Sequence, residues 1–264
     1  MTIDVSVMGI GLLGPGLADW ATGAPLLCEP SAWVPAATVV PAPQRLPATE
    51  RRRAGTVVKA ALVAADQAVA MAGADAALLP TVFTSSTGDP ANCHILLEAL
   101  ARPHEERVVS PTRFTNSVHN APAGYWHIAA ASRAASTSLA AYDASFAAGL
   151  LEAAAQCAAS GAPVLLVAAD VPYPEPLHTL RPLADSAAVA LLIAPPGLGR
   201  ALHVAIDGAA NPTPCAHAGL EALRLGIPAL RALPLLQALT HAAARDVVIE
   251  GLAQQHLRVT VAAA

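Results

Sequence analysis

The chain alternates short apolar runs with longer stretches in which alanine and larger apolar residues return every third or fourth position. Ile3–Met8 alternates as a half-buried strand does and predicts a strand ending at Gly9. Prolines crowd Pro25–Pro47 and periodic apolar positions are few there, which predicts an irregular loop. Glu50–Gly73 predicts a helix, with Arg51–Arg53 at its start and Val57, Ala60, Ala61, Ala64, Ala68 and Met71 at helical spacing. Its inner surface is nearly all alanine, which permits close packing on a sheet. Thr81–Thr84 predicts a strand running into the polar turn Ser85–Gly88. Asp89 then caps a helix that has Pro90 in its first turn and ends near Leu100. A helix of small residues follows over Ala144–Ser160, then a strand at Val164–Ala169 whose unbroken apolar run implies burial on both faces. Ala187–Ala194 and Ala201–Ile206, joined through Pro195-Pro196-Gly197, predict a hairpin. A helix at Ala229–Ala243 and a strand at Leu257–Val261 close the chain. Alternating strands and helices make an α/β layered fold. No internal repeat or strong linker divides it, so one domain is expected.

Composition sharpens this picture. Of 264 residues, 55% are hydrophobic and only 13% charged, too few charges to cover a whole monomer surface, so a subunit interface is expected. A mild net charge of −4 argues against a nucleic-acid partner, and the short Arg51–Arg53 cluster has no interleaved aromatic residues; it reads as a solvated helix start. Cys28, Cys93, Cys157 and Cys215 lie far apart, which is neither a disulfide framework nor a zinc pattern, and the Cys93–His94 neighbours cannot chelate alone. No metal or cofactor is expected. Without a leader pattern or a charge-free stretch long enough to span a bilayer, a reduced cytoplasm is the expected home.

Three features carry candidate chemistry. Gly9-Ile10-Gly11-Leu12-Leu13-Gly14 is literally GxGxxG after a strand. A dinucleotide site also needs a helix start there and an acidic residue ending the next strand. Pro15-Gly16 interrupts the first, and Glu29 sits in a poor strand between Cys28 and Pro30, so a tight glycine turn is the better reading. His119, in Ser117-Val118-His119-Asn120, fits either a general base or a residue that fixes a loop by hydrogen bonds. Asp143-Ala144-Ser145 starts a helix, where the macrodipole favours an anion. Ser145 lacks the GxSxG elbow, which makes it an ordinary helix-start serine unless a base reaches it.

At these residues the chain resembles the β-ketoacyl synthases. More closely it is similar to the short chain-length-factor-like proteins of aryl-polyene and related type II polyketide pathways. VSVMGIGLLGPGLADW (Val5–Trp20), Leu46–Arg53 with its helix, Val82–Gly88, SPTRFTNSVHNAPAG (Ser110–Gly124) and FAAGLLEAAAQ (Phe146–Gln156) follow in family order, over roughly residues 3–206. The resemblance implies a thiolase-like layered fold, with residues 1–206 as a ketosynthase N-terminal domain and 207–264 as a short helix-strand remnant of the second half packed on it. Counting back from Val164–Ala169 by the family's helix length places the nucleophile position at Ala144, and alanine cannot hold an acyl chain. The second half's two histidines and lysine do not carry over either: no histidine precedes Gly-Thr, and the only lysine is Lys59. No catalytic residue is therefore expected.

What the resemblance leaves is a silent partner of a full-length ketosynthase, meeting acyl carrier protein through the complex. Its seam is expected along Thr137, Ser138, Leu139 and Ala140 and the loop around His119, with Ser117, Asn120 and Ser145 as signature or cleft residues. Two rival functions stay open: an acyltransferase or thioesterase using Ser145, His119 and Asp143, and a small-molecule binding protein without acyl chemistry.

Overall fold

The computed structural model describes residues 2–264. Its frame is an eight-stranded mixed sheet ordered β3-β2-β4-β5-β1-β6-β8-β7. The strands are β1 (Thr2–Leu13), β2 (Thr81–Thr84), β3 (Ser136–Leu139), β4 (Val164–Asp170), β5 (Ala187–Ala194), β6 (Arg200–Asp207), β7 (Arg245–Ile249) and β8 (His256–Val261). The helices are α1 (Trp20–Cys28), α2 (Ala48–Arg53), α3 (Thr56–Ala72), α4 (Pro90–Ala101), α5 (Pro111–Asn116), α6 (Ala121–Ala130), α7 (Ser145–Ser160), α8 (Leu177–Leu180), α9 (Ala218–Gly226) and α10 (Leu233–Thr240).

Strand alternation sorts the core into two clusters, one on each face of the sheet. Val164, Leu166 and Ala168 of β4 join α7 and the C-terminal helices, whereas Leu165, Val167 and Ala169 join α3 and α6. Every residue of β4 and β5 is buried, which explains their unbroken apolar runs.

Several expectations are corrected. The first strand does not stop at Gly9: β1 runs on through Gly9 and Gly11 to Leu13, with a register shift between Val7 and Gly9. That bulge adds one residue, so Ile3, Val5 and Val7 lie on the same face as Ile10 and Leu12. It turns Gly9 and Gly11 toward α3, where a Cβ would fall 2.0 Å from the Ala68 carbonyl oxygen and 1.9 Å from that of Ala64. The glycines serve close helix-on-sheet approach, not a turn.

Second, β5 and β6 are no hairpin. β1 lies between them, antiparallel to both. The 195–199 connection crosses over β1 at Val7, where Gly199 has no room for a side chain: a Cβ would stand 2.2 Å from the Val7 carbonyl oxygen.

Third, the long helix is two. α2 ends at Arg53 and α3 begins at Thr56 across the extended Ala54-Gly55, so Arg51–Arg53 finish a helix instead of starting one. Fourth, the proline-rich stretch is irregular only after its start: α1 accommodates Pro25 within it, and a short 3-10 turn covers Pro30–Ala32. The closing helix is likewise shorter than expected, a 3-10 turn at Pro228–Ala232 leading into α10.

The sequence reading also missed α5, α6, α8, α9 and β7. β8 pairs with β6 and β7 with β8, so the last two strands extend the same sheet.

Candidate functional site

The parallel strands β3, β2 and β4 end on one side of the molecule. There the chain leaves β3, turns sharply through Ala140–Asp143 and enters the long helix α7. Tyr142 takes a left-handed conformation (φ 52°), a strained choice for a bulky residue, and Ala144 forms the N-cap of α7. The Ala144 N–H donates to the Ala141 carbonyl at 3.0 Å and the Ser145 N–H to the Tyr142 carbonyl at 3.2 Å, which closes the elbow.

Ser145 is part of this construction. Its hydroxyl donates to the Tyr142 carbonyl at 2.7 Å and accepts from the Ala141 N–H at 3.0 Å. Its own carbonyl accepts from the Thr84 hydroxyl at 2.9 Å, tying the elbow to the end of β2. With 1% exposure it presents no free nucleophile. Ala144, 5% exposed, presents a methyl group.

His119 lies in the corner between α5 and α6. Its Nε2 meets the Ser85 carbonyl at 3.1 Å, and because a carbonyl only accepts, Nε2 carries the hydrogen. Ser117 donates to the Phe114 carbonyl at 2.8 Å to close α5, and Asn120 is the N-cap position of α6. Ser145 and His119 each engage backbone groups and make no hydrogen bond to one another, so no acyl-transfer dyad is assembled. The histidine fixes a loop.

Sequence reasoning missed the charged lattice around the elbow. Arg181 donates to Asp143 Oδ1 at 2.6 Å and to the Ser86 hydroxyl at 2.7 Å, with its guanidinium 3.6 Å from the centre of the Tyr142 ring. Arg231 approaches Asp143 Oδ2 at 3.8 Å and pairs with Glu250. Glu250 also meets Arg224 at 3.8 Å, and Arg224 grips Glu221 with two hydrogen bonds of 2.6 and 2.7 Å. Arg224 and Arg231 are both buried, and among the described residues Arg231 Nε has no hydrogen-bond partner. Arg181, Arg224 and Arg231 are thus each paired with a carboxylate: Asp143, Glu221 and Glu250. One signal was available: Arg224 and Arg231 sit seven residues apart inside the apolar run GLEALRLGIPALRAL, a costly place for an unpaired charge.

Asp170 ends β4 and was also missed. Its Oδ1 accepts from the Ser85 hydroxyl at 3.1 Å and from the Ser86 and Thr87 N–H groups at 2.7 and 3.1 Å. Full burial pushes its carboxyl above the usual aspartate range despite these donors and the nearby Ala229 N–H, and among the described residues Oδ2 meets no partner within hydrogen-bond geometry.

β3 borders the elbow and forms one edge of the sheet. The Thr81 N–H donates to the Ala135 carbonyl and the Ser85 N–H to that of Leu139. Strand alternation therefore points the backbone groups of Ser136, Ser138 and Ala140 away from β2. Leu139 turns its side chain inward onto the core. At the opposite edge β7 is covered: the Thr213 N–H donates to the Val248 carbonyl at 2.9 Å, and the Val248 N–H to the Thr213 hydroxyl at 2.8 Å. Among the described residues nothing comparable covers β3, and no helix is long and apolar enough to cross a membrane.

A mixed sheet that delivers a tight elbow onto the N-terminus of a long helix, with alanine at the helix cap, is the layered α/β arrangement of the thiolase-like fold. The comparisons agree. Residues 28–244 match the model of the β-ketoacyl synthase N-terminal domain, and the chain belongs to that family. No curated protein matches it at the sequence level. Among solved structures it is similar to a chain of the ketosynthase ApeO in complex with its chain length factor ApeC from Xenorhabdus doucetiae, at 21% identity and TM-score 0.73 over 99% of both chains. It is also similar to the ishigamide ketosynthase/chain length factor, at 16% identity and TM-score 0.67 over 98% of both chains. A third likeness is to the AntDE:AntF complex of a type II polyketide acyl-carrier protein with its ketosynthase, at 11% identity and TM-score 0.70 over the whole of both chains. At these identities the likeness is one of fold.

Proposed function

We propose that this protein is a catalytically silent, chain-length-factor-type subunit that pairs with a full-length β-ketoacyl synthase in a type II polyketide or aryl-polyene pathway. The observation that carries the reading is the elbow itself: a tight turn enters α7 with Ala144 at its N-cap, and where the resemblance puts the nucleophile this alanine side chain cannot form a thioester. The uncovered β3 edge supports the same reading, since a free edge strand is a liability unless something pairs with it. Thr137, Ser138, Leu139 and Ala140 form the proposed seam, with the His119 corner beside it, and acyl carrier protein is met through the complex. Residues 1–206 supply the ketosynthase-like scaffold, and 207–264 act as a remnant of the second half that brings Arg224, Arg231 and Glu250 toward the elbow. The four free cysteines fit a reducing cytoplasm.

Co-expression with the full-length ketosynthase of the same pathway, followed by size-exclusion chromatography, tests this. A stable one-to-one complex that extends acyl chains, while neither subunit does so alone, is the expected result. A ketosynthase that elutes and works equally well without this chain would overturn it.

A further inference from the structure

α4 is an apolar helix that the rest of the chain hardly covers. Glu98 is its one carboxylate, and only Pro90, Asn92 and Leu96 are buried. Asn92 faces α5, where its side-chain amide donates to the Arg113 carbonyl at 2.8 Å. Leu97 is 60% exposed and Leu100 50%, and half-buried Cys93 makes one stripe with them at spacings of four and three residues. Val108 and Phe114, exposed on the return to α5 and on α5 itself, add to the apolar surface.

The stripe has a direction. Ala91, Asn92 and Ile95 line a cavity whose other walls include Arg53–Thr56, so that flank of α4 looks toward the start of α3. At 3.6 residues per turn, Cys93, Leu97 and Leu100 lie roughly 170° around the helix from Ile95. α3 covers β1, β5 and β4, whereas α6 covers β2 and β3. A flank turned away from α3 is therefore turned to the side on which the sheet ends at β3. That edge is small by itself. Its four residues make a strand about 13 Å long, and pairing over that length cannot bury the roughly 800 Å² per partner that a stable complex needs. The stripe supplies apolar area on the same side.

We propose that Cys93, Leu97 and Leu100 of α4 form a second contact of the subunit seam, laid against the full-length ketosynthase beside the β3 edge. The inference rests on the partnership proposed above and divides its labour: β3 fixes register through directional hydrogen bonds, and α4 adds apolar burial.

Cys93 is a built-in reporter of that contact. Burial, with the Asp89 charge beside it, holds its thiol above the ordinary range, so its alkylation by iodoacetamide at about pH 9 is compared in the free chain and in the complex. Cys28 is the control, since it ends α1, which packs on α10 at the other face of the sheet. Peptide mass mapping of the chain co-purified with the ketosynthase should show Cys93 modified at least about tenfold more slowly than in the isolated chain, with Cys28 unchanged. Leu97→Asp and Leu100→Asp place a charge where the isolated chain already meets water, so each should stay folded, with buried Cys157 still protected. Each should weaken the complex at least about tenfold by burying that charge. A complex in which Cys93 keeps its free rate, or which both variants enter as tightly as the parent, overturns this inference and leaves the partnership standing. Protection of Cys93 in an isolated chain that runs at twice its mass would assign the stripe to a second copy and overturn it too. If the parent chain forms no complex at all, the partnership falls together with it.

Discussion

Gly9 and Ala68 meet with no side chain between them: a Cβ on Gly9 would stand 2.0 Å from the Ala68 carbonyl oxygen and 3.1 Å from the Ala72 methyl. The alanine face of α3 and the glycines of β1 are therefore one device, each useless without the other. Gly9→Ala must push α3 off the sheet, and overpacking of this kind costs about 3 kcal/mol. Gly124, in α6, has nothing within 4 Å of the same construction. There alanine should stabilise the isolated chain by about 0.5–1 kcal/mol through helix propensity and a less free unfolded state. Urea unfolding of the two variants should shift in opposite directions, and a mild effect at Gly9 would show that α3 does not pack as described.

The same pair shows what the sequence can and cannot say. The alanine periodicity of α3 and the apolar run of β4 are local patterns with one physical meaning, and both were legible. Gly9 and Gly11 were read as a turn because glycine has several uses, and only the approach of α3 selects among them. β5 and β6 were read as a hairpin because Pro195-Pro196-Gly197 looks like a connector. Nothing local reveals that β1 slots between them. The start of α7 beside Ala144 was legible as a run of small residues, whereas Arg181, Arg231 and Glu250 were not: they converge on it from separate segments. Leu139, expected as a seam residue, turns onto the core, so Leu139→Asp would unfold the chain as readily as it would split a complex.

Asp170 makes stability depend on pH in a recognisable direction. Its folded-state carboxyl lies above the unfolded value because burial penalises the charge. The proton is held more tightly in the folded state, so stability from this group is full below the unfolded pKa and is lost as pH rises through the folded one. Asp170→Asn keeps an oxygen for the Ser85, Ser86 and Thr87 donors and cannot ionise. Its melting temperature should exceed that of the parent chain at pH 8, with the gap narrowing as pH falls toward 4. Asp207 and Glu221, held low by their arginines, titrate in both chains and drop out of the difference. A gap that widens on acidification would contradict the assignment.

Ser145 should matter to the fold and not to chemistry. Ser145→Ala removes a donor to the Tyr142 carbonyl and an acceptor for the Ala141 N–H, which should cost about 1–2 kcal/mol. Incubation of the parent chain with an acyl carrier protein thioester should leave its intact mass unchanged. An acyl adduct lost in Ser145→Ala would reinstate the serine as a nucleophile.

The seam can be tested at a position that leaves the core alone. Ser138 lies on β3 with its backbone N–H turned away from β2, since the Ala135 and Leu139 carbonyls face that strand. Proline at 138 removes this outward donor while the β2–β3 ladder keeps its bonds, the kind of edge position where proline is tolerated. Thr137 is already extended, as a residue before proline must be. The isolated Ser138→Pro chain should thus stay folded, losing no more than about 1–2 kcal/mol from the altered strand dihedral. In a complex built by strand pairing across the seam, the same change removes a hydrogen bond and places the ring against the partner backbone. The expected result on co-expression is a folded Ser138→Pro chain that elutes apart from the ketosynthase. Ala140→Asp, exposed on the same edge, should act likewise by bringing an unpaired charge into the interface, at several kcal/mol or a few decades in dissociation constant. If both variants still elute as a stable pair, β3 does not form the seam and the partner, if there is one, docks elsewhere.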